Sequence, residues 1–242
     1  VVFDMTPSVG PGHTTEPGTD ASKVKVILAI RNNATIAGLK GGSSTTSTVT
    51  NASRTVSYNL TIGEERNSEY SYGGTLGGDY YTGVAASESA AAHLNLIKKH
   101  SNTQIFTAEA ISANAAAVNE GVLQFNGKLT VGRALALPVE GEESSTRKLM
   151  AGELVTTMEH YATIAEPWEE IHVEGSGSLI EVSGNVSSAD DMAVLHGGSL
   201  TAGGNLTVAD VITVNSGTVS VSGETKTRHL SVYGEGASFT TT

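Results

Sequence analysis

The chain has 242 residues, 16% of them charged, a formal net charge of −11 and no cysteine. Disulfides, thiolate zinc sites and cysteine nucleophiles are thereby excluded. The charge argues against nucleic acid or an anionic membrane as partner, because both need clustered Lys and Arg.

With so few charges, Ser, Thr, Asn and Gly must supply the polar surface. With 5% aromatics, the core must lean on Val, Leu, Ile and Ala. The opening Val1-Val2-Phe3-Asp4 has no initiator Met and no basic stretch leading into an apolar run, so it reads as a mature or trimmed chain. No apolar run approaches the roughly 18 residues of a spanning helix, so no membrane-spanning segment is expected.

Residues 1–22 carry Pro7, Pro11 and Pro17 among Gly10, Gly12 and Gly18. Proline removes ladder donors and glycine adds entropy, so an extended arm is expected, either unordered or docked on a neighbouring subunit. Residues 23–102 read as a β-rich region. Val24, Val26, Leu28 and Ile30 alternate along one predicted strand, and Val56, Tyr58, Leu60 and Ile62 along another. The Ser/Thr tract 43–50 between them predicts a loop or a polar edge strand, since its hydroxyls compete for the backbone.

Tyr70, Tyr72, Tyr80 and Tyr81 lie among glycines, as at a turn region with half-buried rings. Gly73 to Gly78 lacks the Lys-Ser/Thr of a phosphate loop and reads as a turn. The alanine-rich stretch 85–99 predicts a helix, with Lys98, Lys99 and His100 at its negative end. Residues 103–170 are expected to hold one or more β coils, from the alternation in Leu123 to Gly132. A helical insertion is expected near 145–164, where Leu149, Met150, Leu154, Met158 and Tyr161 give a loose apolar face.

The clearest signal lies in residues 171–242. Ile171-His172-Val173, Met192-Ala193-Val194, Ile212-Thr213-Val214 and Leu230-Ser231-Val232 open four similar lines, 21, 20 and 18 residues apart. Each runs apolar-x-apolar, glycine turn, second apolar stretch. Matched glycines mean recurring turns, and a period near 20 is that of a solenoid, whose coils bury their inward faces by stacking. No Lys or Arg occurs from Ile171 to Thr225. An antiparallel meander with two strands per line also fits the spacing. The fold class expected is mainly β, a C-terminal parallel β-solenoid with a β-rich N-terminal region and one or two short helical insertions.

The lines around Gly198-Ser199-Leu200, Gly204-Asn205-Leu206-Thr207 and Ser216 to Val221 resemble the passenger regions of bacterial autotransporters and related haemagglutinin-like surface proteins. The resemblance covers a third to a half of the chain and rests on degenerate motifs. It implies a right-handed parallel β-helix, export, and adhesion or surface scaffolding. No family functional residue carries over.

Asp190 and Asp191, the adjacent Asp pair of the repeat, read as turn residues rather than a catalytic carboxylate pair. Glu159-His160, and Glu169-Glu170 with His172, match no metal-ligand spacing and read as solvated acidic chain around Pro167-Trp168. No cofactor or metal is expected. Glycosylation sequons stand at Asn33, Asn51, Asn59, Asn185 and Asn205. The last two occupy equivalent coil positions, so both point outward or both form an inward ladder.

The function expected is that of a non-catalytic extracellular or cell-surface structural or adhesive protein, with a surface glycan or protein as ligand. The alternative is a self-assembling subunit of an extracellular filament or virion appendage. It would join through Val24, Val26, Leu28, Ile30, Leu230, Val232 and Phe239, at a strand edge and an open solenoid end. A carbohydrate-active β-helix enzyme is a third reading, for which the carboxylate cluster is wanting.

Overall fold

The computed structural model describes residues 1–6, 25–52, 57–76, 94–132 and 171–242. Its first strands are β1 (Val2–Asp4), β2 (Val26–Ile30), β3 (Ala34–Ile36), β4 (Gly38–Lys40), β5 (Ser47–Asn51), β6 (Asn59–Ile62), β7 (Glu69–Tyr72) and β8 (Thr75–Leu76). The middle of the chain gives β9 (Asn95–Lys98), β10 (Thr103–Phe106), β11 (Ala110–Ala113), β12 (Ala115–Val118), β13 (Val122–Phe125) and β14 (Lys128–Val131). Then come β15 (Ile171–Glu174), β16 (Leu179–Val182), β17 (Val186–Ser188), β18 (Met192–Leu195), β19 (Ser199–Ala202) and β20 (Leu206–Val208). The last are β21 (Val211–Asn215), β22 (Thr218–Val221), β23 (Thr225–Lys226), β24 (His229–Tyr233) and β25 (Ser238–Thr241).

Every third strand pairs, and always in parallel. Sheet 1 runs β3-β6-β9-β12-β15-β18-β21-β24, sheet 2 runs β7-β10-β13-β16-β19-β22-β25, and sheet 3 runs β11-β14-β17-β20-β23. At the N-terminal end β2-β5-β8 precede sheet 3, and β1-β4 approach sheet 2 through the bridge between Gly41 and Tyr72. One coil is therefore three short strands and three corners, and the fold is a parallel β-solenoid. Ile171 pairs with Met192, Met192 with Ile212 and Ile212 with Leu230, which are the intervals of the sequence repeat. The parallel ladders leave no antiparallel meander among the described residues.

The core is a set of inward columns. Leu60, Leu96, Ala116, Ile171, Met192 and Ile212 stack along sheet 1, each in register with the next. Tyr72, Phe106, Phe125, Val182, Ala202 and Val221 stack along sheet 2. Within that column the Phe106 and Phe125 rings lie parallel at 5.1 Å, and Tyr72 meets Phe106 edge-on at 6.2 Å. Each fully buried aliphatic or aromatic side chain is worth about 1.5–3 kcal/mol, realised only when coils lie above and below it.

Several expectations need correction. The parallel ladders are not confined to the C-terminal end; they already hold in β1 to β8. No helix occurs among the described residues. The described end of the expected 85–99 helix is strand β9, because Leu94 and Leu96 fill the core and Asn95 hydrogen-bonds within an asparagine ladder. These tertiary terms outweigh local helix propensity. Residues 85–93 and the 145–164 helix lie outside the described residues.

The start of the expected arm is bound: Val2–Asp4 pairs with Gly38–Lys40, and Met5 is buried. The Ser/Thr tract is neither loop nor edge along its second half. β5 lies between β2 and β8, and its hydroxyls bond across strands, as Thr48 does to Thr75 at 3.0 Å.

Candidate functional site

The three sheets differ in what they offer a partner. Sheet 1 is buried on both sides through β12, β18 and β21, whose residues are nearly all buried, inward and outward alike. The unbroken apolar run Met192 to Leu195 is the signature of such a two-sided strand. Sheets 2 and 3 keep strict alternation, as in β14, β16 and β22. Outward from the end of sheet 2 point Ser199, Thr218 and Ser238 in one column and Thr201, Ser220 and Thr240 in the next, all in register. They form a hydroxyl grid with strand spacing of about 4.8 Å.

At the corner between sheets 2 and 3, Asn185 Oδ1 accepts the Asn205 N–H at 2.8 Å, and Asn205 Oδ1 accepts the Glu224 N–H at 3.0 Å. Both asparagines are exposed, so the ladder and the outward orientation coexist. A Cβ on Gly204 would collide with Asn185 Oδ1, and one on Gly223 with Asn205 Oδ1. The Gly-Asn repeat is thus a corner device. Asn33 is exposed and its Oδ1 accepts the Asn59 N–H at 2.9 Å. Asn51 and Asn59 are buried, which leaves no path out for a glycan in the folded chain.

The corner between sheets 3 and 1 holds Asp190, Asp191 and Asp210, with one carboxylate oxygen of each within 4.8 Å of the others. Asp190 and Asp191 do lie at a turn, as expected, yet Asp191 is only 4% exposed. Its Oδ1 accepts the Val211 N–H at 2.9 Å, and burial, followed by its acidic neighbours, pushes its carboxyl up to about 6. Asp210 faces Arg228 at 3.6 Å. Three carboxylates suit a hard cation in donor type, while their polar contacts fasten one coil to the next.

The corner between sheets 1 and 2 carries two groups that the sequence did not single out as sites. Lys98, fully buried, points its ammonium at the carbonyls of Lys99 (2.8 Å), His100 (2.5 Å) and Glu120 (3.4 Å), and burial lowers it to about 8. Further along, Glu174 stands between two imidazoles. His172 Nε2 is 3.2 Å from its Oε2, and His196 Nδ1 is 3.0 Å from its Oε1. These contacts, His172 first, hold the Glu174 carboxyl at about 2. In the repeat, the positions matched to His196 are Gly175, Ser216 and Gly234.

Of the proposed assembly residues, Val26 and Leu28 pack partly buried against the core and Ile30 is buried within it; the exposed residue of β2 is Ile27. Leu230 and Val232 are exposed on the last coil, and Phe239 is half-buried. Val24, Tyr80, Tyr81, Glu159, His160, Trp168, Glu169 and Glu170 lie outside the described residues. No protein-family model matches the chain, and no curated protein or solved structure matches it.

Proposed function

We propose that the chain is a non-catalytic structural or adhesive element of a cell surface or extracellular space, a rod whose sheet 2 is the contact face for a glycan or protein. The observation that carries this reading is the in-register grid of Ser199, Thr201, Thr218, Ser220, Ser238 and Thr240 on the outward face of sheet 2. The resemblance to autotransporter passengers supports export. The acidic corner speaks for scaffold rather than catalyst, since Asp191 is engaged by the Val211 amide and Asp210 by Arg228.

The test is a screen of immobilised glycans and surface proteins with the intact chain and with a Thr201→Lys/Thr218→Lys variant. Binding that the variant loses supports the reading. Binding that survives moves the contact off sheet 2, and failure to bind any ligand leaves adhesion without support.

Self-assembly is the second reading. Leu230 and Val232 are 46% and 42% exposed, whereas their register partners Ile212 and Val214 are wholly buried. A further coil supplied by a second copy would cover them. Light scattering and negative-stain microscopy decide it: polymers abolished by Leu230→Lys/Val232→Lys support assembly, and a concentration-independent monomer sinks it.

A further inference from the structure

We propose that Asn126 is a site of spontaneous deamidation in the folded protein, at the corner between sheets 2 and 3. Asn126-Gly127 is the one Asn-Gly step in the chain. The Gly127 amide nitrogen loses its proton to solvent base and bonds to Asn126 Cγ. The Cγ–Nδ2 bond breaks, and Nδ2 leaves as ammonia with a proton from solvent. Water then opens the cyclic imide at either carbonyl, giving aspartate or isoaspartate. Nothing is oxidised or reduced.

The fold itself requires the glycine. Phe125, Val182, Ala202 and Val221 share one column, so Asn126, Ser183, Gly203 and Ser222 follow them at one corner position. Gly127, Gly184, Gly204 and Gly223 occupy the next. A Cβ on any of these four would collide with an oxygen of the preceding coil. Asn126 is the asparagine set directly before one of them, and without a Cβ nothing on Gly127 screens its nitrogen from Cγ.

The local geometry leaves the reaction open. Asn126 is exposed. The Gly127 N–H meets no acceptor among the described residues, whereas the Gly184 N–H donates to the Gly127 carbonyl at 3.0 Å and the Gly204 N–H to the Gly184 carbonyl at 3.0 Å. Gln124 Nε2 donates to Asn126 Oδ1 at 3.3 Å, the oxygen that gains negative charge when the nitrogen adds.

Other asparagines are closed to the same step. The amides after Asn185, Asn205 and Asn215 donate to carbonyls of the next coil, Val186 and Leu206 at 2.9 Å and Ser216 at 3.0 Å. Each would have to give up that hydrogen bond before its nitrogen could attack. At Asn126 the isoaspartate product carries an extra main-chain carbon, which shifts the Gly127 carbonyl away from the Gly184 N–H.

The test incubates the full chain at mildly alkaline pH, folded and in urea. Peptide mapping by mass spectrometry follows each asparagine, and enzymatic methyl transfer counts isoaspartate. Asn126 is expected to convert in the folded chain within about tenfold of its rate in urea, a barrier difference under about 1.4 kcal/mol. Asn215 is expected to convert in urea alone. Asn126→Ser gives this corner the residue found at Ser183 and Ser222, so it keeps the fold and loses the isoaspartate signal. An Asn126 that folding slows by more than about tenfold overturns the proposal. So does isoaspartate that persists undiminished in Asn126→Ser.

Discussion

Gln104 and Leu39, 65 residues apart, are joined as though two backbones had paired. The Leu39 N–H donates to Gln104 Oε1 at 2.8 Å, and Gln104 Nε2 donates to the Leu39 carbonyl at 3.0 Å. Both residues are completely buried. Tyr70, the register partner of Gln104 in β7, lays its ring against Gly38, so β4 and β7 part there and close again at Gly41 and Tyr72. The side-chain amide supplies the two hydrogen bonds that the opened ladder would otherwise lose.

Gln104→Leu keeps the volume and removes both partners. A buried donor and acceptor are then orphaned at about 1–3 kcal/mol each. Denaturant unfolding is expected to show a loss of roughly 2–4 kcal/mol, and hydrogen exchange a selective loss of protection at the Leu39 amide. Unchanged protection there would mean that Gln104 is only a spacer.

Gly204→Ala tests the corner ladder. The new Cβ would run into Asn185 Oδ1, a clash expected to cost about 1–3 kcal/mol. Asn185→Gly in the same chain removes the obstacle, so the two changes together should cost less than their sum. Gly177→Ala is the contrast: nothing lies within 4 Å, and its φ of 85° leaves only backbone strain of about 1–2 kcal/mol.

Asp191→Asn should stabilise the chain at neutral pH. The folded carboxyl, at about 6, lies above its unfolded value of about 3.9, so the parent protein loses stability as pH rises between them. Asparagine keeps an acceptor for the Val211 amide without the buried charge. Melting curves should show the variant ahead by about 1 kcal/mol, or roughly 3 °C, at pH 7, with the gap closing below about pH 4. A gap independent of pH would sink the explanation.

Lys98→Met should leave three corner carbonyls without their common donor. Hydrogen bonds to a charged group are worth about 1.5–3 kcal/mol, so a loss of at least that size is expected in chemical unfolding. Full stability in Lys98→Met would show that those carbonyls find other donors.

The register of the C-terminal coils is legible in the chain because its signal is purely local. Alternation of two and glycines at matched offsets suffice to align Ile171, Met192, Ile212 and Leu230 in one column. The N-terminal coils escape such a reading because their corners are fastened by side chains, not marked by glycine at a fixed period. Asn59, Asn95 and Asn114 bond to one another across gaps of 36 and 19 residues, with no constant interval to detect. The alanines before β9 speak for helix because propensity sees neighbours in sequence alone.

Composition and local period dictate a β-rich, thiol-free, acidic chain of stacked coils, since each of those properties is carried by residues close together in the chain. Which chemical groups meet is a property of the folded coils. Glu174 lies between His172 and His196, Asp191 is buried beside Asp190 and Asp210, and Lys98 caps carbonyls of two coils. The long-range half of each meeting, Glu174 with His196, Asp191 with Asp210 and Lys98 with the Glu120 carbonyl, is set by the rotation of the chain through one full coil, and that is fixed by strand pairing, not by nearness along the chain.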